Sequence, residues 1–323
     1  MDTPVAASRS SNRPAQVMRV VVMLAVIVVL PALIVGVVAG SLAAHAFPLG
    51  LIGGLLIVLG EGRRIGFRFL VVLVPAAALS GLTNGTWWWV VVFGALGASI
   101  GVMSGRGHGV AMVQVAIIAC VVPDIDGWLD AAVFAAFLAI GALFGVLLAF
   151  RKGAALESDH PPIEGARPML GIALGALSLG AASAAGLATG WEQPYWVPLL
   201  FLLLVQFVLV DEAAGRRKVA QRVVGTVVGL AIVVPISMVV PPSVVVVLAL
   251  VLIAISMTVS DDRYWVAAAL ITTAVVLVSG STSNALVLGE RRLLATLVGA
   301  LLLVGVVTAL RVTAPSGVDR PAR

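Results

Sequence analysis

Long apolar runs separated by short polar breaks occupy the chain from about residue 18 to residue 311. A helix that crosses the roughly 30 Å hydrocarbon core of a bilayer needs about 17–25 mostly apolar residues. The breaks consist of glycine, proline and charged residues, which favour turns and helix ends. The pattern predicts twelve membrane-spanning helices. They start near Met18, Ala44, Phe67, Thr86, Gly109, Trp128, Leu170, Tyr195, Val219, Val244, Tyr264 and Arg291.

Three of the apolar runs are short for a membrane crossing: Phe47 to Leu59, Gly109 to Val122 and Tyr195 to Val210. A short span can recruit polar flanking residues, or neighbouring helices can shield its ends from lipid. We expect these three helices to use one of the two solutions.

The composition excludes a soluble domain. The chain is 61% hydrophobic and 11% charged, and its mean hydropathy is +1.15. Soluble domains have about 45–50% apolar and about 25% charged residues. The predicted fold class is therefore all-α, a polytopic integral membrane helix bundle.

The basic residues predict how the bundle is oriented. With the N-terminus inside and twelve spans, all twenty Lys and Arg residues except Arg291 and Arg292 fall in cytoplasmic loops and tails, as the positive-inside rule requires. Both termini are then cytoplasmic, and the Arg-, Ala- and Val-rich usage favours a bacterial plasma membrane. The basic excess needs no nucleic-acid partner, although it attracts anionic membrane lipid.

A polar stretch at residues 151–167 divides the chain into two halves. It is predicted to be a cytoplasmic linker between six helices at 18–150 and six at 168–311. Residues 1–17 and 312–323 are predicted to be cytoplasmic tails, the first of them disordered. Six spans per half give both halves the same orientation. Their second cytoplasmic turns, at residues 61–68 and 211–222, share a run of acidic residues, glycine and arginine.

The second half contains two copies of one motif. The copies are Tyr195-Trp196-Val197 with Arg222-x3-Thr226-x2-Gly229, and Tyr264-Trp265-Val266 with Arg292-x3-Thr296-x2-Gly299, 70 positions later for the arginine. We interpret the copies as an inverted three-helix repeat, because they begin three predicted spans apart, an odd number, so the second copy is inverted relative to the first. Inverted repeats are common in secondary transporters, which bind substrate at the repeat interface.

The arginine, threonine and glycine of each copy lie on one helix face, because their spacing is i, i+4, i+7. Glycine allows a second helix to approach closely, and threonine can form a hydrogen bond across the contact. The small residues are interpreted as helix-packing positions: Gly225, Thr226, Gly229, Thr296 and Gly299. Arg222 and Arg292 can either extend to the membrane surface or hold an anionic carboxylate in a bidentate pair.

The aromatic pairs also have two interpretations. Tyr195, Trp196, Tyr264 and Trp265 can belong to interfacial belts or stack on a planar substrate. Gln206 is a deeper candidate for substrate binding.

A coupled transporter generally needs an ionisable group within the membrane. The carboxylates nearest to the spans are Asp211, Glu212, Glu61 and Glu290, all at helix ends. Asp211 is the first candidate for proton coupling, and a solvated loop acid is its alternative interpretation.

Motifs for other chemistry do not occur. The chain has no GxxxxGK[ST] phosphate loop, no HExxH and no paired cysteines, which are the signatures of nucleotide and metal sites. We therefore predict no ATP-driven motor, no metal site, no cofactor and no enzymatic activity.

Residues 170 to 310 resemble the membrane domain of the fusaric acid resistance protein-like family, which includes aromatic acid exporters. The R-x3-T-x2-G turns and the Tyr-Trp pairs at helix starts carry the resemblance. It implies an inner-membrane protein for proton-driven efflux of aromatic or other organic acids. Many relatives carry a large cytoplasmic domain and some exporters work with a periplasmic adaptor, but neither is indicated in this sequence.

The leading hypothesis is a secondary transporter that exports small organic anions, with Arg222 and Arg292 as cationic contacts near opposite mouths. The alternative is a non-transporting membrane scaffold that binds a partner or organises lipid. A homo-oligomeric channel is a third possibility, and oligomeric state is left open.

Overall fold

The computed structural model describes residues 13–151, 168–191, 193–210, 212–279 and 285–313, and within these ranges the chain is helical without a strand. The helices are α1 Arg13–Leu24, α2 Leu30–Ala39, α3 Ser41–Glu61, α4 Arg63–Thr83, α5 Trp87–Ser104, α6 Gly109–Cys120, α7 Trp128–Arg151, α8 Pro168–Ala188, α9 Trp196–Val210, α10 Glu212–Val239, α11 Pro242–Ser256, α12 Tyr264–Ser279 and α13 Ala285–Thr313. The prediction of an all-α bundle is confirmed. Most of the predicted linker and of both predicted tails lies outside the described residues.

Helices α1 and α2 form one continuous helix, joined by a π-helical segment at Ala25–Val29. Its cause is Pro31, which has no backbone N–H to donate and whose ring clashes with the preceding turn. A locally wider turn accommodates such a residue without ending the helix. The twelve predicted helices therefore correspond to the continuous α1–α2 helix and the eleven that follow it in the described ranges.

Eight of the described helices are long and apolar enough to cross a membrane, with α1–α2 counted as one. The shorter apolar ones lie within α6, α9, α11 and α12. The short apolar run at residues 47–59 lies within α3, a helix of 21 residues, because the helix begins upstream at Ser41. The chain is thus a multi-pass membrane protein, whereas the count of twelve crossings stays a prediction.

Helices α3 and α7 are in backbone contact along their length. A methyl group at Gly50 would meet Leu138, and one at Gly54 would meet Ala142. Because the contact advances in the same direction on both helices, α3 and α7 run parallel. Glycine at such positions allows two helix backbones to approach closely.

The two halves share one hydrophobic core. Helix α5 of the first half lies against α8 of the second, where Gly97 meets Gly175 and Gly101 meets Gly171 in antiparallel order. The short helix α6 is buried at nine of its twelve residues and packs against the short helix α9. Neighbouring helices therefore shield these two short helices, which is one of the two solutions expected from the sequence.

Candidate anion site

Helix α10, which carries Arg222, packs along α12, which starts with the second Tyr-Trp pair. A methyl group at Gly225 would meet the carbonyl oxygen of Trp265, and one at Gly229 would meet that of Ala269. Thr273 Oγ1 also donates a hydrogen bond to the Gly229 carbonyl oxygen at 3.1 Å. The contact advances in the same direction on both helices, so α10 and α12 run parallel.

Helix α13, which carries Arg292, packs along α9, which follows the first Tyr-Trp pair. Gly299 lies against the backbone of Leu200 and Phe201, at the positions that correspond to Gly229 and Ala269. Helices α9 and α10 form a tight antiparallel hairpin, in which Gly215 meets Val208. Each arginine helix therefore packs against the Tyr-Trp helix of the other copy.

Arg222 lies inside this packing and is only 3% exposed. Its Nη1 atom donates a hydrogen bond to Tyr264 Oη at 2.8 Å. The Tyr264 ring meets Phe207 edge-on, with ring centroids 5.0 Å apart. One turn later, Thr226 Oγ1 donates to the Arg222 carbonyl oxygen, so this threonine bonds within its own helix.

Arg292 is buried to the same extent, at 3% exposed. Its guanidinium carbon lies 5.7 Å from the ring centroid of Trp196, a cation–π distance, and Trp196 itself is 1% exposed. Thr296 repeats the intrahelical bond of its counterpart by donating to the Arg292 carbonyl oxygen. Arg292 thus contacts Trp196 of the first aromatic pair, and Arg222 contacts Tyr264 of the second.

Both arginines have unsatisfied donors. The Nε atoms of Arg222 and Arg292 are buried without a hydrogen-bond partner, and neither guanidinium forms an ion pair with a carboxylate that the structure describes. A buried charge is costly unless it is paired, so the interior carries two positive charges that no described acid compensates.

These arginines do not extend to the membrane surface, because both are nearly inaccessible. Arg216 and Arg217 on the first turns of α10 are exposed instead. Both guanidinium groups are buried in the structure, and their placement near opposite mouths of a transport path stays a prediction.

The remaining predicted site residues occupy varied positions. Trp265 is 39% exposed, so it differs from its buried counterpart Trp196. Gln206 accepts a hydrogen bond from Gln114 Nε2 at 3.1 Å, which links α9 to α6. Asp211, the predicted proton-coupling residue, lies outside the described residues.

An apolar cavity of about 310 Å³ lies between α5, α8, α9 and α13. Its lining includes Ile100, Leu179, Phe201 and Val306. The lining contains none of the predicted substrate-binding residues, so in this conformation the cavity and the arginines are separate.

Two polar contacts join residues that are distant in the sequence, and neither was predicted from it. One is the Gln114–Gln206 bond, and the other joins Glu61 Oε2 to His108 Nδ1 at 2.8 Å. Glu61 and His108 are both visible in the sequence as ionisable residues, but no spacing rule connects two residues that are 47 positions apart.

The contacts between α9–α10 and α12–α13 described above fall in a segment of the chain that also matches a family model. Residues 169–306 match the family model described as fusaric acid resistance protein-like. The resemblance predicted for residues 170 to 310 is confirmed over this segment, and it indicates a membrane protein of the transport or resistance type. Among the curated proteins and among the solved structures, no match was found.

Replacing Tyr264 with Phe is expected to lower the thermal unfolding midpoint of the purified protein. The buried Nη1 donor of Arg222 would lose its acceptor, at a cost of about 1–3 kcal/mol. Trp265→Phe, at the more exposed neighbour, is the matched control and should leave the midpoint nearly unchanged. Equal midpoints for Tyr264→Phe and the wild type would show that this hydrogen bond does not stabilise the fold.

Proposed function

We propose that the protein is a secondary transporter that exports small organic anions across the bacterial plasma membrane. The observation that supports this proposal most is the pair of buried arginines, each with an Nε donor that no described group satisfies. An anionic carboxylate would compensate both the charge and the free donors, because guanidinium and carboxylate form paired, charge-assisted hydrogen bonds.

The neighbours of the arginines favour an aromatic acid. The Trp196 ring lies against Arg292, and the Tyr264 hydroxyl and ring lie against Arg222. A planar substrate can stack on such rings while its carboxylate pairs with the cation.

The two copies of the motif supply a route for alternating access. In a twelve-span topology, α10 and α12 start on one side and α9 and α13 on the other, and the packing of each pair is parallel. We infer that the two copies of the motif, one on α9 and α10 and the other on α12 and α13, belong to an inverted repeat. A carrier built in this way can expose equivalent contacts to the two sides in turn.

A proton gradient is the proposed energy source, since the chain has no nucleotide-binding motif. Asp211, at the junction of α9 and α10, remains a proposed proton-coupling residue because it follows an apolar helix directly. Gln206, Tyr195 and Trp265 remain proposed substrate contacts.

One observation favours the alternative of a non-transporting membrane scaffold. Both arginines are 3% exposed, so no open crevice reaches them in this conformation. A scaffold would keep the two arginines inaccessible at all times, whereas a transporter would expose them alternately to the two sides of the membrane.

Reconstituted vesicles distinguish the two functions. Vesicles with an acidic lumen are incubated with labelled 4-hydroxybenzoate, an aromatic carboxylate. Passive entry of the neutral acid cannot concentrate the probe in an acidic lumen, so accumulation there requires exchange for protons. We expect accumulation that collapses when a protonophore is added. Equal signals in protein-containing and empty vesicles would favour the scaffold.

A further inference from the structure

A further buried ionisable group lies in the first half, outside the segment that matches the family model. Glu61 is the last residue of α3 and is 1% exposed. Gly62 follows with a φ of +82°, a conformation that L side chains rarely adopt, and it turns the chain directly into α4. The turn leaves the Glu61 side chain packed inside the bundle.

The carboxylate of Glu61 is half satisfied. Its Oε2 atom lies 2.8 Å from His108 Nδ1, whereas Oε1 is buried without a hydrogen-bond partner. A buried carboxylate with one unmet oxygen is costly as an anion. Protonation would remove that cost, so the position suits a group that gains and loses a proton.

His108 connects this carboxylate to the surroundings of the bundle. Its side chain is 26% exposed, and its ring lies edge-on to Phe69 with centroids 6.3 Å apart. The backbone N–H of His108 donates to the Met103 carbonyl oxygen, which fixes the residue just before α6. The histidine therefore has one nitrogen on Glu61 and a partly accessible ring.

Four arginines with described side chains lie on the elements that adjoin this pair, and all four are exposed: Arg64 and Arg68 on α4, Arg106 in the turn before α6 and Arg151 at the end of α7. Their exposure lets solvent screen their charges. Among these side chains Glu61 is thus the buried ionisable group, and the partly exposed His108 is its hydrogen-bond partner.

We propose that Glu61 and His108 form a proton-binding site that couples the proton gradient to transport, and this inference rests on the proposed function. A proton from loop-side water adds to the free ring nitrogen of His108. The ring then passes its Nδ1 proton to Glu61 Oε2. One proton has been bound, the histidine is neutral again, and the carboxyl group is uncharged.

The location suits coupling because α3 ends at Glu61 and packs backbone-to-backbone on α7. Loss of a buried charge at the end of α3 changes the energy of that packed pair relative to the rest of the bundle. The sequence that begins at Glu61, residues 61–68, also resembles residues 211–222 of the second half, which begin at Asp211.

Infrared difference spectra test proton binding without any transported substrate. Purified wild-type protein is compared between acidic and alkaline buffers, and a buried protonated carboxyl group gives a carbonyl band of its own. We expect this band to be present in the wild type and in Glu290→Gln, an exposed control, and lost in Glu61→Gln. An unchanged band in Glu61→Gln would overturn the assignment.

Vesicle transport then tests the coupling. With labelled 4-hydroxybenzoate, Glu61→Gln and His108→Gln are expected to lose accumulation driven by an acidic lumen. Both should retain exchange of internal for external probe at equal pH, which also shows that they are folded. His45→Gln, which alters an exposed histidine, is expected to retain both activities.

The two proposals fail differently in this experiment. Gradient-driven accumulation in Glu61→Gln at the wild-type level would overturn the coupling role while leaving the transport function intact. If the wild type shows no accumulation and no exchange, the transport function is contradicted, and the coupling role with it. This holds even where the infrared band identifies Glu61 as a proton-binding residue.

Discussion

Efflux of 4-hydroxybenzoate is expected to fall to background when Arg222 and Arg292 are both replaced by glutamine. Glutamine keeps hydrogen-bonding capacity but removes the charge that would hold a carboxylate. A hydrogen bond to a charged group contributes about 1.5–3 kcal/mol, so each single variant should lose roughly 10- to 100-fold in affinity. Labelled efflux from loaded vesicles measures the effect.

The exposed arginines at the start of α10 provide the matched control. Arg216→Gln together with Arg217→Gln removes two positive charges from the same helix region without touching the buried pair, and efflux should stay near the wild-type level. The fold should tolerate the buried double substitution as well, because it removes two uncompensated charges. Normal efflux in the Arg222 and Arg292 double variant would assign both residues a structural role only.

The second large effect concerns the contact between α3 and α7. Valine at Gly54 or Gly141 is expected to prevent recovery of folded protein. The first carbon of the new side chain would overlap the Ala142 or the Phe47 backbone, so the two helices must separate along their length. Overpacking of a core costs about 1–3 kcal/mol, and a clash with rigid backbone is expected to exceed that range.

Gly60→Val is the control for this prediction, since Gly60 is also in α3 and has open space where its side chain would grow. The amount of monodisperse protein after detergent extraction is compared among the three variants. Recovery of Gly54→Val at the level of Gly60→Val would mean that α3 and α7 do not pack as described.

The helices could be predicted from the sequence because hydrophobic length and polar breaks are local properties. Helices α6, α7 and α12 begin at the predicted residues, Gly109, Trp128 and Tyr264. Other helices begin before their predicted starts: α10 begins at Glu212, in a polar stretch before Val219, and α13 begins at Ala285, before Arg291. An apolar run marks the part of a helix in the hydrocarbon core, and the helix itself extends beyond it.

The partners of the arginines could not be predicted. The i, i+4, i+7 spacing placed arginine, threonine and glycine on one face, and that face is buried in both copies. The sequence did not indicate that Arg222 would meet Tyr264, and Arg292 would meet Trp196, each from the opposite copy. That exchange depends on how four helices pack, which is a tertiary property.

Glu61 and His108 illustrate the same limit. Glutamate at the end of a predicted helix resembles any solvated loop acid, and the histidine was one of three scattered along the chain. Only the packing of α3 against the start of α6 joins them.

The most direct test of the central claim is equilibrium binding of labelled 4-hydroxybenzoate to the purified protein in detergent. The buried arginines predict saturable binding by the wild type that weakens as salt competes with the anion. The Arg222→Gln and Arg292→Gln double variant should show no saturable binding. Equal binding by the wild type and the double variant would contradict the claim that these two arginines form the anion site.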